Sequence, residues 1–298
     1  MRAYIYFSAI FIFLPFSLFG QIKLDSERDK DGNVLIFATN SAAIPYTVIL
    51  NFSTLQNLTT SGGSLVTGIA RPGRNQLAKL RPTLSGQSTN YNYSYSFGKG
   101  DVYGKNKKDP IFIVPVSEGQ KVIAMQMVHI ENRLGPDRSN DSYVGVLFKL
   151  DSSSNIIAPR KGVIAEVKMA GGVMEENLDY NRSENHIEIY HEDGTITRLM
   201  VLRPGSEKVK VGDLVLPGDV LAESAGENYA TGSHVRMVNL KTEKDGDKLK
   251  YTVIPVKFST DNGAIEISDR LELDVVHPQE VIEMEMSKRE IKKYSDKK

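Results

Sequence analysis

The stretch TGSHVRMVNL, residues 231–240, reads as a strand that carries His234 and Arg236 on one face. Side chains alternate along a strand, so residues two apart point the same way. A second histidine at 236 would set two imidazoles side by side, as in a metal site. Position 236 is instead Arg236, a permanent cation. Three explanations fit such a strand: a damaged enzyme, a binding module that kept an enzyme's frame, or an ordinary sheet. Ser233 and His234 are neighbours and face opposite ways, so they do not form a serine nucleophile and base.

The flanking sequence is β-rich in both directions. GVLFKL (145–150), GVIAEVKM (162–169), NHIEIYHEDGTITRLMVL (185–202), DLVLPGDVLAES (213–224), YTVIPVKFST (251–260) and AIEISDRLELDV (264–275) are short apolar runs separated by Gly, Asp and Asn. Asp193-Gly194 supplies the positive φ of a tight hairpin. Upstream, residues 33–58 hold two apolar runs, and YNYSYSFG (91–98) alternates aromatic with polar residues, as a half-buried strand does. This spacing predicts a small antiparallel sandwich of immunoglobulin-like kind in the first third. GKGDVYGKNKKDP (98–110) is a Gly- and Lys-rich loop, and the two β units are expected to fold separately, joined near 98–116. No helix of useful length is expected before residue 280. The tail from Pro278 has acids at 280, 283 and 285, then bases at 288, 289, 292 and 293, and reads as solvated; Ser287 with Glu290 fits a capping box.

Composition bounds the function classes. With 298 residues, 40% hydrophobic and 25% charged, the chain can bury two ordinary cores. Lys+Arg and Asp+Glu are equal at 37 each, so no net field favours nucleic acid. The absence of cysteine excludes disulfides, a thiol nucleophile and a thiolate metal site. Residues 1–20, MRAYIYFSAIFIFLPFSLFG, have the order of a signal peptide: an early Arg2, a short apolar run, then a small residue and a polar switch. The expectation is an exported protein, periplasmic or secreted, with no membrane span in the mature chain.

Four segments in one order, IIAPRKGVIAEV, IEIYHEDGTITRLMVL, VKVGDLVLPGDVLAESAG and TGSHVRMVNL, resemble the lysostaphin-type (LytM-like) zinc endopeptidases, over about residues 116–260. The flanks APxxG and VxxGDxVxxGxxL also occur in biotinyl and lipoyl carriers. A carrier lysine, however, sits in a hairpin before the APxxG strand, and the look-alike Lys168 lies after it. With the domain that the resemblance implies, a lysostaphin-type (duplicated hybrid motif) β-barrel or sheet domain (116–276), the expected chain is all-β in four parts, the others being the signal peptide (1–20), the immunoglobulin-like β-sandwich (21–115) and the charged tail with a short helix (277–298).

The family's chemistry needs zinc with one position left for water. By the resemblance, the ligand histidine, the ligand aspartate and the second H-x-H histidine fall on Tyr143, Leu147 and Arg236, and an assisting histidine falls on Val201. Only His234 matches. Leu147 has no donor atom, Arg236 repels a cation, and the Tyr143 phenol keeps its proton to about pH 10. The other histidines, His129, His186, His191 and His277, read as packed or surface residues, without a second zinc set. The resemblance thus implies a degenerate, non-catalytic member with no metal, whose old groove of Tyr143, Leu147, His234 and Arg236 binds peptidoglycan stem peptides or a cell-envelope protein. The alternative is a working zinc endopeptidase that cuts peptidoglycan cross-bridges with unusual ligands. One consequence follows from the sequence alone. The mature chain recovered from its native compartment should begin near Gln21 by intact mass, and a mass that includes residues 1–20 would rule out removal of the leader.

Overall fold

The computed structural model describes residues 21–105, 109–128, 143–169 and 185–296. The leader and His129 lie outside the described residues, and so does the side chain of Tyr143.

Period-two alternation in the first third builds a two-layer sandwich. Ile22–Arg28, Val34–Asn40, Gly73–Pro82 and Leu58–Thr59 form one sheet in that spatial order; Leu65–Ala70, Tyr46–Gln56 and Asn90–Lys99 form the other. Every second residue of Val34–Asn40 and of Tyr46–Gln56 (Val34, Ile36 and Ala38; Val48, Leu50 and Phe52) enters one core. Each large aliphatic side chain there contributes on the order of 1.5–3 kcal/mol. By chain order the sheets run first-second-sixth-fourth and fifth-third-seventh. The immunoglobulin constant pattern runs first-second-fifth-fourth and third-sixth-seventh. The expected immunoglobulin-like unit thus has the layers and the strand number of that fold, and a different strand order.

The second unit is built on a nine-stranded sheet among the described residues. Its spatial order is Leu214–Val215, Gly162–Lys168, His186–Tyr190, Thr195–Met200, His234–Asp245, Tyr143–Lys149, Lys121–Val128 and Leu271–Asp274, with Lys248–Val253 paired to the far end of His234–Asp245. One face, with Phe148, Ile164, Ile187, Leu199, Val235 and Met237, closes a core with Phe112, Ile156, Leu221 and Phe258 from two small sheets. Ile111–Phe112 pairs with Lys257–Thr260, and Phe112 and Val114 lie in this core. The second unit therefore begins before residue 116.

The other face of the large sheet meets the sandwich. Tyr190 and Ile196 belong to the same buried cluster as Tyr46 and Val48, with Val163, Ala165 and Leu240 packed against it. Loop 98–105 threads between the units so closely that a Cβ on Gly104 would lie 2.5 Å from the Asp193 backbone. Lys99 anchors the loop. Its ammonium pairs with Glu166 and, at 2.6 Å, with Glu188, while its N–H donates to the Tyr251 hydroxyl at 2.9 Å. The two units share this cluster, and the residues that face the seam are apolar on both sides.

The tail is also more than a solvated run. Helices Gln279–Glu283 and Lys288–Ser295 lie against the second unit, and the expected capping box of Ser287 and Glu290 is formed. Glu285 accepts a forked pair from buried Arg160, at 2.7 and 2.5 Å, and Glu290 pairs with Lys161 at 2.9 Å. These tail acids are contact residues. Among the described residues no helix is long and apolar enough to cross a membrane.

Because the seam is apolar, a fragment from residue 109 to 298 should lose stability relative to the full chain. Baring Tyr190, Ile196 and Leu240 should lower its urea midpoint and raise dye binding by exposed apolar surface. A fragment with the full chain's midpoint would show that the seam contributes nothing.

Candidate functional site

The groove face of the large sheet carries the residues that the sequence singled out. Antiparallel register sets them in a row: His186 opposite Met200, Met200 opposite Arg236, and Arg236 opposite Leu147. His234 lies one step along, opposite Lys149. Leu147, His234 and Arg236 are all buried. The register therefore brings Leu147 and Arg236 together as cross-strand partners, a few ångströms apart by strand geometry.

His234 is held tightly. Its Nδ1 donates to the Gly232 carbonyl at 2.7 Å, and its ring meets Tyr229 edge-on with centroids 5.1 Å apart. The Arg236 guanidinium lies 5.2 Å from the same Tyr229 ring, within cation–π range. Gly226 must be glycine here: its φ is +105°, and a Cβ would lie 2.6 Å from His234 Nδ1. With Nδ1 donating, Nε2 is a lone-pair acceptor, and among the described residues it has no hydrogen-bond partner. Burial lowers the pKa of His234 to about 4, with the Gly232 carbonyl opposing and Arg236 adding to the fall.

Val201 follows the Thr195–Met200 strand with φ +67°. A β-branched residue in the left-handed region is strained, on the order of 1–3 kcal/mol. Two hydrogen bonds hold it there: its N–H donates to the Asn185 carbonyl at 3.1 Å, and its carbonyl accepts from Ala225 at 2.9 Å. The side chain held in this turn is aliphatic and has no proton to give.

A second cluster lies on the same face, and no single segment predicts it. Glu166 and Glu188 are cross-strand partners, and together with His186 they place three donor atoms within 4.8 Å of one another. This corrects the expectation that His186 belongs to no possible ligand set. Two protein cations already serve it. Lys99 bridges the two carboxylates, and Arg198 binds Glu188 through Nε at 2.9 Å and Nη2 at 2.5 Å. Burial works against the charge of Lys99, but its hydrogen bonds to Glu166 and Glu188 outweigh this and raise its pKa. The same pairing lowers that of Glu166 despite burial. The available clue in the sequence was that like charges opposite each other in a sheet need a cation, but which cation depends on the docking of a distant loop. His191 is buried on the core face, and His277 is a part-buried residue whose Nε2 lies 3.3 Å from the Val114 carbonyl; both fit the packed reading.

The family comparison agrees with this architecture. Residues 141–248 match the model described as Peptidase family M23. Comparison with curated proteins finds no match. Among solved structures, the catalytic domain of lysostaphin from Staphylococcus simulans is similar at 23% identity, over 39% of this chain and 80% of that one, with a TM-score of 0.27. Csd3 from Helicobacter pylori is similar at 11% identity over 92% and 81%, with a TM-score of 0.32. A zinc-containing peptidase from Vibrio cholerae is similar at 12% identity over 83% and 84%, with a TM-score of 0.27. Scores this low carry no weight beside the family match.

Zinc does not fit the residues at the family's positions. Leu147 offers no lone pair, Arg236 brings a positive charge to the row, and Val201 is aliphatic.

The state of His234 has a pH signature. Its folded pKa of about 4 lies below the ordinary value of about 6.5. The unfolded chain therefore binds the proton first, so stability is full above pH 6.5 and falls as pH drops towards 4. The loss at pH 4.5 should be about 3 kcal/mol from this group. Buried His191, whose pKa is lowered by burial and by Arg160, acts in the same direction. Urea midpoints of the parent and of His234→Asn at pH 7 and pH 4.5 measure the term. Equal pH slopes for the two proteins would mean that His234 is protonated as easily folded as unfolded.

Proposed function

We propose that this chain is an exported, non-catalytic M23-type protein that serves as a binding or regulatory module in a bacterial cell envelope. The observation that carries the reading is the pairing of Leu147 with Arg236 at the family's ligand positions. An aliphatic side chain and a guanidinium there remove two of the three ligand positions and put a cation where zinc would supply positive charge. A guanidinium binds a carboxylate through two parallel hydrogen bonds. Peptidoglycan stem peptides carry such carboxylates, and so do acidic segments of envelope proteins. The neutral His234 beside it offers an acceptor, so the groove has the elements to hold a peptide and lacks those to activate water.

The rival reading, an active zinc endopeptidase with unusual ligands, would have to draw on Glu166, His186 and Glu188, the described donor cluster on the groove face. That requires Lys99 to withdraw and Arg198 to release Glu188. Removing the counter-charge of a buried carboxylate costs several kcal/mol.

Purified chain should carry no stoichiometric zinc, gain no thermal stability from added zinc and leave cross-linked peptidoglycan uncut. A site saturated at 100 times its dissociation constant would add about 2.7 kcal/mol. Arg236→Ala should weaken binding to stem peptides by about 1.5–3 kcal/mol, while His234→Ala should change binding little. One zinc per chain with chelator-sensitive cleavage would establish the rival. Unchanged binding by Arg236→Ala would move the contact surface away from the groove.

A further inference from the structure

Asn90–Lys99 ends its sheet: among the described residues it pairs with Tyr46–Gln56 along one side and with no strand along the other. Its residues alternate asparagine or serine with an aromatic, and from Asn90 to Gly98 none is charged and none is proline. An exposed strand edge offers a row of unpaired N–H and C=O groups, and proteins usually protect it with charges, proline or a bulge. The edge strand of the facing sheet, Ile22–Arg28, is protected in this way by Lys23, Asp25, Glu27 and Arg28. The bulge beside Asn90–Lys99 lies on the inner strand, between Phe52 and Thr54, and leaves the outer strand regular.

The groups that face outward are fixed by three contacts. The Lys99 N–H donates to the Tyr251 hydroxyl at 2.9 Å and its carbonyl accepts from the Thr242 hydroxyl, so residue 99 turns away from the inner strand. Even-numbered residues turn towards it: the Gly100 N–H donates to the Pro45 carbonyl at 2.8 Å, and the Asn92 carbonyl accepts from the Ser53 hydroxyl at 3.3 Å. Alternation in an antiparallel ladder then sends the N–H and C=O of Tyr91, Tyr93, Tyr95 and Phe97 outward. Among the described residues none of these groups has a partner. Their side chains share one face, opposite Leu55, Phe52, Leu50 and Val48. Tyr91 and Tyr93 pack on the sandwich core, whereas Tyr95 is 46% exposed and Phe97 41%. The open backbone edge and the exposed rings therefore belong to the same run of residues, which Lys99 closes because its own groups are taken.

We propose that this edge is a dimerisation surface, on which a second copy of the chain pairs antiparallel through residues 91–97 about a two-fold axis at Ser94. Pairing between outward-facing residues sets odd-numbered positions against odd-numbered ones, so aromatic side chains meet aromatic ones while Asn and Ser meet Asn and Ser. Centring the open run on itself places Phe97 opposite Tyr91 of the second copy and Tyr95 opposite its Tyr93. The exposed rings of each copy are thereby covered by the less exposed rings of the other. A two-fold axis sets a strand against itself, so a charge near the centre would meet its like, and this strand has none. A strand from another protein would meet the same backbone groups without this self-match. Pairing consumes both edges and so stops at the dimer; the interface is small, so the dimer should dissociate at micromolar concentrations. The inference uses no residue of the groove and stands apart from the function proposed for it.

Sedimentation velocity of the full chain over a concentration series should show a reversible monomer–dimer equilibrium. Ser94→Lys, at an exposed position and with every backbone bond kept, sets a positive charge against its own copy and should weaken association by about tenfold or more. An unchanged thermal midpoint of the dilute variant would show that its fold is intact. Ser94→Cys tests the register without adding charge. Across the axis the two Cα atoms of residue 94 would lie about 4.5 Å apart, within disulfide reach, whereas those of residue 92 would lie about 13 Å apart. The chain has no cysteine of its own, so mild oxidation should link Ser94→Cys into covalent dimers and leave Asn92→Cys without them. A chain that stays monomeric at high micromolar concentration would overturn the proposal and leave the edge to a strand of another protein. Association that survives Ser94→Lys, or equal cross-linking at 92 and 94, would overturn it too, and growth beyond the dimer would overturn the two-fold closure.

Discussion

Glu188 holds a negative charge with 1% of its side chain exposed, and much of the molecule is arranged around neutralising it. Its cross-strand partner is another acid, Glu166, so the sheet by itself sets two like charges together. Arg198, from the neighbouring strand, supplies one cation, and Lys99, from the end of the sandwich, supplies the other. A buried carboxylate without a partner costs several kcal/mol. The two β units are therefore bound by a charge requirement as well as by the apolar seam of Tyr190, Ile196 and Leu240.

The same arrangement bears on chemistry. A zinc site needs a concentration of lone pairs with no protein cation at its centre. Among the described residues on the groove face of this sheet, the two clusters at issue each contain a protein cation: Arg236 in the row with Leu147, Lys99 and Arg198 among Glu166, His186 and Glu188. Gly226 admits the imidazole of His234, and the backbone at Val201 takes a left-handed turn that an aliphatic β-branched residue adopts only under constraint.

The tail completes the opposite face. Arg160 is 2% exposed and paired with Asp193 at 2.9 Å, and Glu285 accepts from its Nε and Nη2. Residues 285 and 290 thus seal the edge of a region that also holds His191 and a cavity beside Asn239.

Local sequence determined what depends on neighbouring residues. Period-two alternation marked the strands, because a pleated backbone must send successive side chains to opposite faces. Asp193-Gly194 marked its hairpin, Ser287 with Glu290 its helix start, and the four ordered segments the region around residues 141–248 that matches Peptidase family M23. Residue chemistry alone was enough to disqualify Leu147 and Arg236 as ligands and Val201 as an assisting base. Tertiary structure decided what depends on residues far apart in the chain. The strand order of the sandwich departs from the immunoglobulin pattern because alternation records which way a residue faces and nothing about which strand lies beside it. Lys99 lies 67 residues from Glu166 and 89 from Glu188, and Glu285 lies 125 from Arg160. No local pattern announces such partners, since a charge is satisfied by proximity in space, and that proximity exists only once the sheets have packed.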